Sequence, residues 1–212
     1  MKIALIGASG FVGSAILNEA VSRGHSVTAI VRDTSKLNPH PQVRAVAVDA
    51  QDPQALADVL KGHDRVISAY NPGWSAPDIH DQYLKGASAI VEAANAAHSW
   101  LLVVGGAGSL EIAPGVQLVD TPDFPAEWKQ GALAARDGLT ALRRETTLDW
   151  RFVSPPVFLE PGEKRGSYRL GGDQVLFSGD KPAGITVGDL ADGVLNEAET
   201  PAHLRQRFTL GY

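Results

Sequence analysis

The chain has 212 residues, 44% of them hydrophobic and 20% charged, which fits an ordinary globular protein and excludes wholesale disorder or collagen-like repeats. Lys and Arg number 19 against 24 Asp and Glu, so the net charge of −5 offers no basic excess for nucleic acid or an anionic membrane surface. The absence of cysteine excludes disulfides, thiolate metal sites and cysteine nucleophiles.

The first residues, Ile3-Ala4-Leu5-Ile6, are apolar on both faces, as a buried parallel strand is. Gly7 and Gly10 break this run too early for a secretory apolar region. Nowhere does an apolar stretch approach the ~20 residues of a membrane span, so a soluble, cytoplasmic protein is expected. After the turn Gly7-Ala8-Ser9-Gly10-Phe11-Val12-Gly13, the residues Ile16, Leu17, Ala20 and Val21 recur at helical spacing until Gly24. Strands are expected at 26–31, 43–48, 65–69, 101–104 and 150–153. Between them, Asp52 reads as an N-cap with Pro53 at the first helical position and a buried stripe of Leu56, Val59 and Leu60. Asn71-Pro72-Gly73 leads into a helix that buries Tyr83, Ala87, Ile90, Val91 and Ala94. A long loop with Pro114, Pro122 and Pro125 precedes a helix over 127–144, whose last turn holds Arg143 and Arg144, where cations suit the helix dipole.

Beyond Pro155-Pro156 the rhythm changes. Gly171-Gly172-Asp173 predicts a hairpin between 166–170 and 174–178, followed by a helix over 189–199 and a strand over 207–210. Strands alternating with helices predict an α/β fold, a doubly wound parallel sheet with right-handed crossovers. The whole of 1–212 reads as one domain with a small C-terminal addition on the substrate side.

The glycine turn carries the first functional signal. Gly7 permits the tight turn, Gly10 lets backbone approach a pyrophosphate, and Gly13 allows close packing of helix on strand. The helix that follows presents free N–H groups and a positive dipole end to the phosphates. At the end of the second strand, Arg32-Asp33-Thr34-Ser35-Lys36 sets the cofactor choice. Arg32 can form a forked pair with the extra phosphate of NADP, with Lys36 adding a point charge, whereas Asp33 is the opposing, NAD-type signal. Asp33 lies one residue beyond the position expected for a ribose-binding acid, so NADP(H) is the expected cofactor.

The stretch from Met1 to Leu37, with Gly-Ala-Ser-Gly-Phe-Val-Gly and Val-Arg-Asp-Thr-Ser-Lys-Leu, resembles the atypical short-chain dehydrogenase/reductase superfamily. Within it the chain is similar to the NAD(P)H-binding group that contains NADH-flavin reductases, NmrA-like proteins and biliverdin-IX-beta/flavin reductase. The resemblance implies a Rossmann fold whose cofactor touches Gly7, Ser9, Gly10, Phe11, Val12, Gly13 and Arg32. It also implies that Asp49 bonds the adenine amine, that Ser68, Ala69 and Tyr70 lie along the cofactor, and that Gly105 and Gly106 line it. Pro155, at the exit of Leu148-Asp149-Trp150-Arg151-Phe152-Val153-Ser154-Pro155-Pro156, marks where backbone meets the nicotinamide amide. Gly184-Ile185-Thr186-Val187-Gly188-Asp189-Leu190-Ala191 resembles the late strand-to-helix junction.

Two departures narrow the chemistry. Many relatives use Tyr-x-x-x-Lys as a proton relay, but Tyr70, Tyr83 and Tyr168 are followed four residues later by Trp74, Ala87 and Gly172, and Tyr212 is terminal. The fifth-strand exit reads Gly105-Gly106-Ala107-Gly108-Ser109, where relatives often place Ser or Thr. What then fits is hydride transfer to a small conjugated acceptor, a flavin or a quinone, oriented by Tyr70, Trp74, Phe124, Trp128 and Phe158. Lys129 is the preferred polar group at the reacting end, over Glu127, and Tyr70 is the second catalytic candidate. The alternative is a non-enzymatic, NADP(H)-sensing regulator of the NmrA-like kind. Six scattered histidines lack metal-ligand spacing, and Ser9 lacks the Gly-x-Ser-x-Gly frame of a nucleophile elbow. Oligomeric state is open.

Overall fold

The computed structural model describes residues 1–212. In chain order the elements are β1 (Lys2–Ile6), α1 (Phe11–Ser22), β2 (Ser26–Val31), β3 (Val43–Ala47), α2 (Pro53–Leu60), β4 (Arg65–Ser68), α3 (Ile79–Ala96) and β5 (Trp100–Val104). Then come β6 (Glu111–Ala113), β7 (Val116–Gln117), α4 (Ala126–Leu142), β8 (Asp149–Ser154), β9 (Phe158–Glu160) and β10 (Arg169–Gly171). The chain finishes with β11 (Phe177–Ser178), β12 (Lys181–Pro182), β13 (Gly184–Thr186), α5 (Val187–Glu199) and β14 (Gln206–Gly211).

Eight strands form one sheet in the order β10-β14-β8-β5-β4-β1-β2-β3. All its pairings are parallel except the edge pair β10–β14. Registers such as Ile6↔Ile30, Ile6↔Ser68 and Val104↔Val153 bring the carboxyl ends of the central strands to a common edge. Alternation sends Ile3 and Leu5 to one face, where they meet Ile16 and Ala20 of α1 and Leu190 and Val194 of α5. Ala4 and Ile6 face the other side, with Leu56 and Leu60 of α2, Ile90 of α3 and Leu139 of α4. Both faces are therefore covered, which explains why the central strands are apolar throughout rather than alternating. This is the doubly wound, Rossmann-like sheet that the alternation of elements predicts. No helix is long and apolar enough to cross a membrane.

The local signals at α2 hold. Asp52 accepts from the Ala55 amide at 3.0 Å, and Pro53 opens the helix. Two expectations fail. The hairpin between 166–170 and 174–178 does not form: β10 instead pairs with β14, Gln174 bridges to Glu111 in parallel, and β11 turns back onto β12 through Gly179. The reason is tertiary. β10 takes the open edge of β14 instead, and Asp173 is drawn onto the Arg207 side chain. Secondly, α4 stops at Leu142, so Arg143 caps it rather than riding in its last turn, and its guanidinium pairs with Asp173 at 2.5 Å.

Candidate functional site

The turn after β1 is built around space that only glycine leaves. Gly7 has φ +79°, donates its amide to the Ile30 carbonyl at 2.9 Å, and would place a Cβ 2.6 Å from the Ala69 carbonyl oxygen. A Cβ on Gly13 would overlap the Gly7 carbonyl oxygen, so α1 can seat against the turn only without one. Gly10 closes the turn onto Gly7 at 3.0 Å and serves as N-cap of α1 with no side-chain capping bond. No acidic residue stands in the first helical turn. The leading amides of α1 are thus left for an outside anion, at the end of the helix where the dipole favours one. Ser9, Gly10 and Phe11 are exposed beside them, with Val12 half-buried.

Along the same edge, Arg32 is exposed at the end of β2. Asp33 is occupied: its carboxylate accepts the Ser35 hydroxyl at 2.7 Å and the Ser35 amide at 3.0 Å. Those bonds hold the carboxyl below its usual range. Both bonds fall on one oxygen, Oδ1, of the acid beside Arg32. Asp49, exposed after β3, accepts the Gln51 amide at 3.0 Å.

Tyr70 is fixed from three sides. Its hydroxyl donates to the Gln82 carbonyl at 3.0 Å and accepts from Gln51 Nε2 at 3.4 Å, while its ring fills the notch that Gly86 leaves on α3. Burial raises the phenol above its ordinary value, against the lowering effect of the Gln51 bond. Its proton is committed to the backbone of α3, so a proton-donating part for Tyr70 requires that bond to break. Gln51, Gln82 and Gly86 carry no sequence signal of their own; a glycine within a helical stripe is the one trace that could have led to them. Ser68, buried at the end of β4, takes the Tyr70 amide on its hydroxyl at 3.4 Å, and Ala69 is the carbonyl that Gly7 abuts.

The bare exit of β5 has a steric cause. A Cβ on Gly105 would enter the Phe152 ring of β8, so neither Ser nor Thr fits there. Gly106, by contrast, has only the Ala135 Cβ near, at 3.7 Å. Ser109 is buried and accepts from Arg207 Nη1 at 3.0 Å, which ties it to β14 instead of the sheet edge. Pro155 is buried immediately after β8.

The aromatic candidates lie on the loop after β4, around the start of α4 and on β9. Trp74 is 62% exposed and Trp128 54% exposed. The Trp74 ring lies over Gly131, whose Cβ would come within 2.6 Å of it, so the loop after β4 rests on the first turns of α4 near Trp128. Lys129 and Glu127 are exposed in that first turn, Phe124 is half-buried ahead of it, and Phe158 is 50% exposed on β9.

The set fits a dinucleotide: a turn whose two tight glycines admit nothing larger, an uncapped helix end, and a free cation at the neighbouring strand end. Comparison with known proteins agrees. A family profile described as NAD(P)H-binding matches residues 7–201. The chain is 40% identical over 214 residues to the uncharacterised protein YwnB of Bacillus subtilis, covering 99% of this chain and 98% of that one. A solved structure from Bacteroides thetaiotaomicron, provisionally named an epimerase, superposes with a TM-score of 0.93 at 41% identity, covering all of this chain and 96% of that one. Another from Streptococcus pneumoniae, provisionally named an NADH-flavin reductase, gives 0.89 at 39% identity, covering 100% of this chain and 99% of that one. With its glycine turn and Rossmann-like sheet, the chain belongs to the NAD(P)H-binding family.

Proposed function

We propose that this protein is an NADPH-dependent reductase that passes hydride to a small conjugated acceptor, a flavin or a quinone. The observation that carries the reading is Arg32, exposed at the end of β2, followed by Asp33, whose Oδ1 is held by Ser35. An Arg at that point suits a 2′-phosphate, and an acid with one oxygen engaged by its own loop is a weaker acceptor for the ribose hydroxyls. The acceptor class follows from what the edge lacks. Tyr70 has its proton bonded to Gln82, and no tyrosine–lysine pair stands ready to protonate a carbonyl. A flavin or quinone spreads the incoming charge over its ring and can draw its proton from water. The bound nicotinamide would supply the hydride.

The chain's own part is to bind and orient. The amides of Phe11, Val12 and Gly13 take the diphosphate, Arg32 the ribose phosphate and Asp49 the adenine amine. Ser68, Ala69, Tyr70, Gly105 and Gly106 wall the nicotinamide half, and the backbone at Pro155 meets its carboxamide. Trp74, Trp128 and Phe158 provide flat apolar surface for the acceptor, with Lys129 as the cation for its polar edge. The name of the Streptococcus pneumoniae relative supports the flavin acceptor, while naming NADH rather than NADPH as the donor. The experiment is NADPH oxidation with a panel of free flavins and quinones. Turnover with one of them is expected. Tight NADPH binding without turnover on any acceptor overturns the reductase reading and leaves the sensing one.

A further inference from the structure

A cavity of about 350 Å³ lies between α3, α4 and the outer face of the sheet. It exists because the facing positions of the two helices are small: Ala87 and Ser88 on α3, Gly138 and Ala141 on α4. Phe152 and Val103 form its floor. Tyr83, 6% exposed, lines this space, and no protein group hydrogen-bonds its hydroxyl. Burial pushes the phenol up to about 12, so it is a protonated donor at any working pH. The hydroxyl is reached by solvent and has no protein acceptor, so it is free to donate to a ligand.

The polar rim says what kind of partner fits. The two carboxylates at the rim are Asp137, which meets His80 at 3.1 Å, and Glu145, which accepts from Asn95 at 3.3 Å. No lysine or arginine lines the cavity, so an anionic ligand such as a fatty acid finds no counter-charge there. An apolar cavity of ~150 Å³ holds one benzene, and the volume here suits two rings.

We propose that this cavity is a second small-molecule site, for a neutral two-ring aromatic ligand whose carbonyl-type oxygen accepts the Tyr83 hydroxyl. It adjoins the dinucleotide edge, with which it shares Ser68 and Tyr70, and extends from there between α3 and α4. The proposal does not depend on the reductase reading, because its test reads binding and not turnover.

Benzophenone, a neutral two-ring ketone that cross-links under near-ultraviolet light, is the probe. Irradiated with the full-length protein, it should label residues 84–91 or 138–142 saturably, as mapped by peptide mass spectrometry. Tyr83→Phe should weaken half-saturation about two- to tenfold, the share of one neutral hydrogen bond. Ala87→Phe should fill the space and abolish labelling in those peptides. Ala141→Phe, at the exposed mouth, does the same test should the first variant fail to fold, and retained NADPH binding shows that either variant is intact. Labelling that is unsaturable, scattered over the surface, unchanged by the filling variants or indifferent to Tyr83→Phe overturns the proposal.

Discussion

Helices α1 and α5 pack side by side on one face of the sheet, but their N-termini are finished in opposite ways. That of α1 has a glycine cap, no side-chain bond and no acid. That of α5 is sealed. Thr186 accepts the Asp189 amide at 3.2 Å, and Asp189, fully buried, takes the amides of Arg165 and Gly166 at 3.0 and 2.8 Å. The Tyr212 hydroxyl adds a bond of 2.6 Å to the same carboxylate and accepts the Thr186 amide at 3.1 Å. The lesson is that an end reserved for an external anion must forgo its own caps, and the helix must be held elsewhere. For α1 that place is its other end. Arg23, its C-cap, pairs with Glu19, Asp192 and Glu199 at 2.7–2.8 Å and so fastens α1 to α5.

The contrast can be broken most forcefully at Gly13. With a Cβ forced onto the Gly7 carbonyl, Gly13→Ala should cost about 3 kcal/mol in the bound geometry, a loss of NADPH affinity of about a hundredfold or more by titration calorimetry. Wild-type affinity would mean that the open end of α1 is not the phosphate site. At the sealed end the effect should fall on stability instead. Asp189→Asn keeps one oxygen for the two amides but sets an NH2 against the Tyr212 and Thr186 hydroxyls that donate to the other, about 2–3 kcal/mol, and should lower Tm by roughly 4–12 °C in calorimetry. Its NADPH affinity should stay within about twofold of wild type, as separated sites act independently.

Arg32→Ala sharpens the comparison on the ligand side. Loss of a charge-assisted phosphate contact, ~1.5–3 kcal/mol, should weaken NADPH roughly ten- to hundredfold. NADH binding should hardly change, and equal losses for both would remove the basis for the NADPH assignment.

The smallest effect concerns the clamp between the helices. Burial alone would raise the Glu19 carboxyl, but hydrogen bonds from Lys164 and Arg23 outweigh it and hold it below the usual range. Burial likewise opposes, and bonds from Tyr168 and Lys164 prevail, at Asp192. Carboxylates depressed in the folded state add stability above their unfolded value near 4, and that contribution is lost as pH falls through the folded value. A Glu19→Gln, Asp192→Asn double variant should therefore be about 1 kcal/mol less stable at pH 7, with the gap closing towards pH 3 in urea titrations.

Much of this was legible because its signals are local. The glycine turn, the Asp52–Pro53 start of α2 and the doubly apolar strands each announce themselves within a few residues. The segment over 156–186 did not, because its partners are distant: β10 needs β14, Gln174 needs Glu111, and β9 needs β13. The same holds at the site. Arg32 is readable from its place after a strand, but that Ser35 engages one oxygen of Asp33, that Phe152 dictates Gly105, and that Gln82 holds the Tyr70 proton are facts of packing.

Of the four tryptophans, Trp100 and Trp150 are buried in the core, whereas Trp74 and Trp128 stand in solvent around the start of α4. Reduced nicotinamide absorbs where indole emits, so a dinucleotide arriving at the nearby strand ends would quench this native fluorescence by energy transfer. The protein thus carries a built-in optical gauge of occupancy, and replacing Trp74 or Trp128 with Phe one at a time would report from which side the ring approaches.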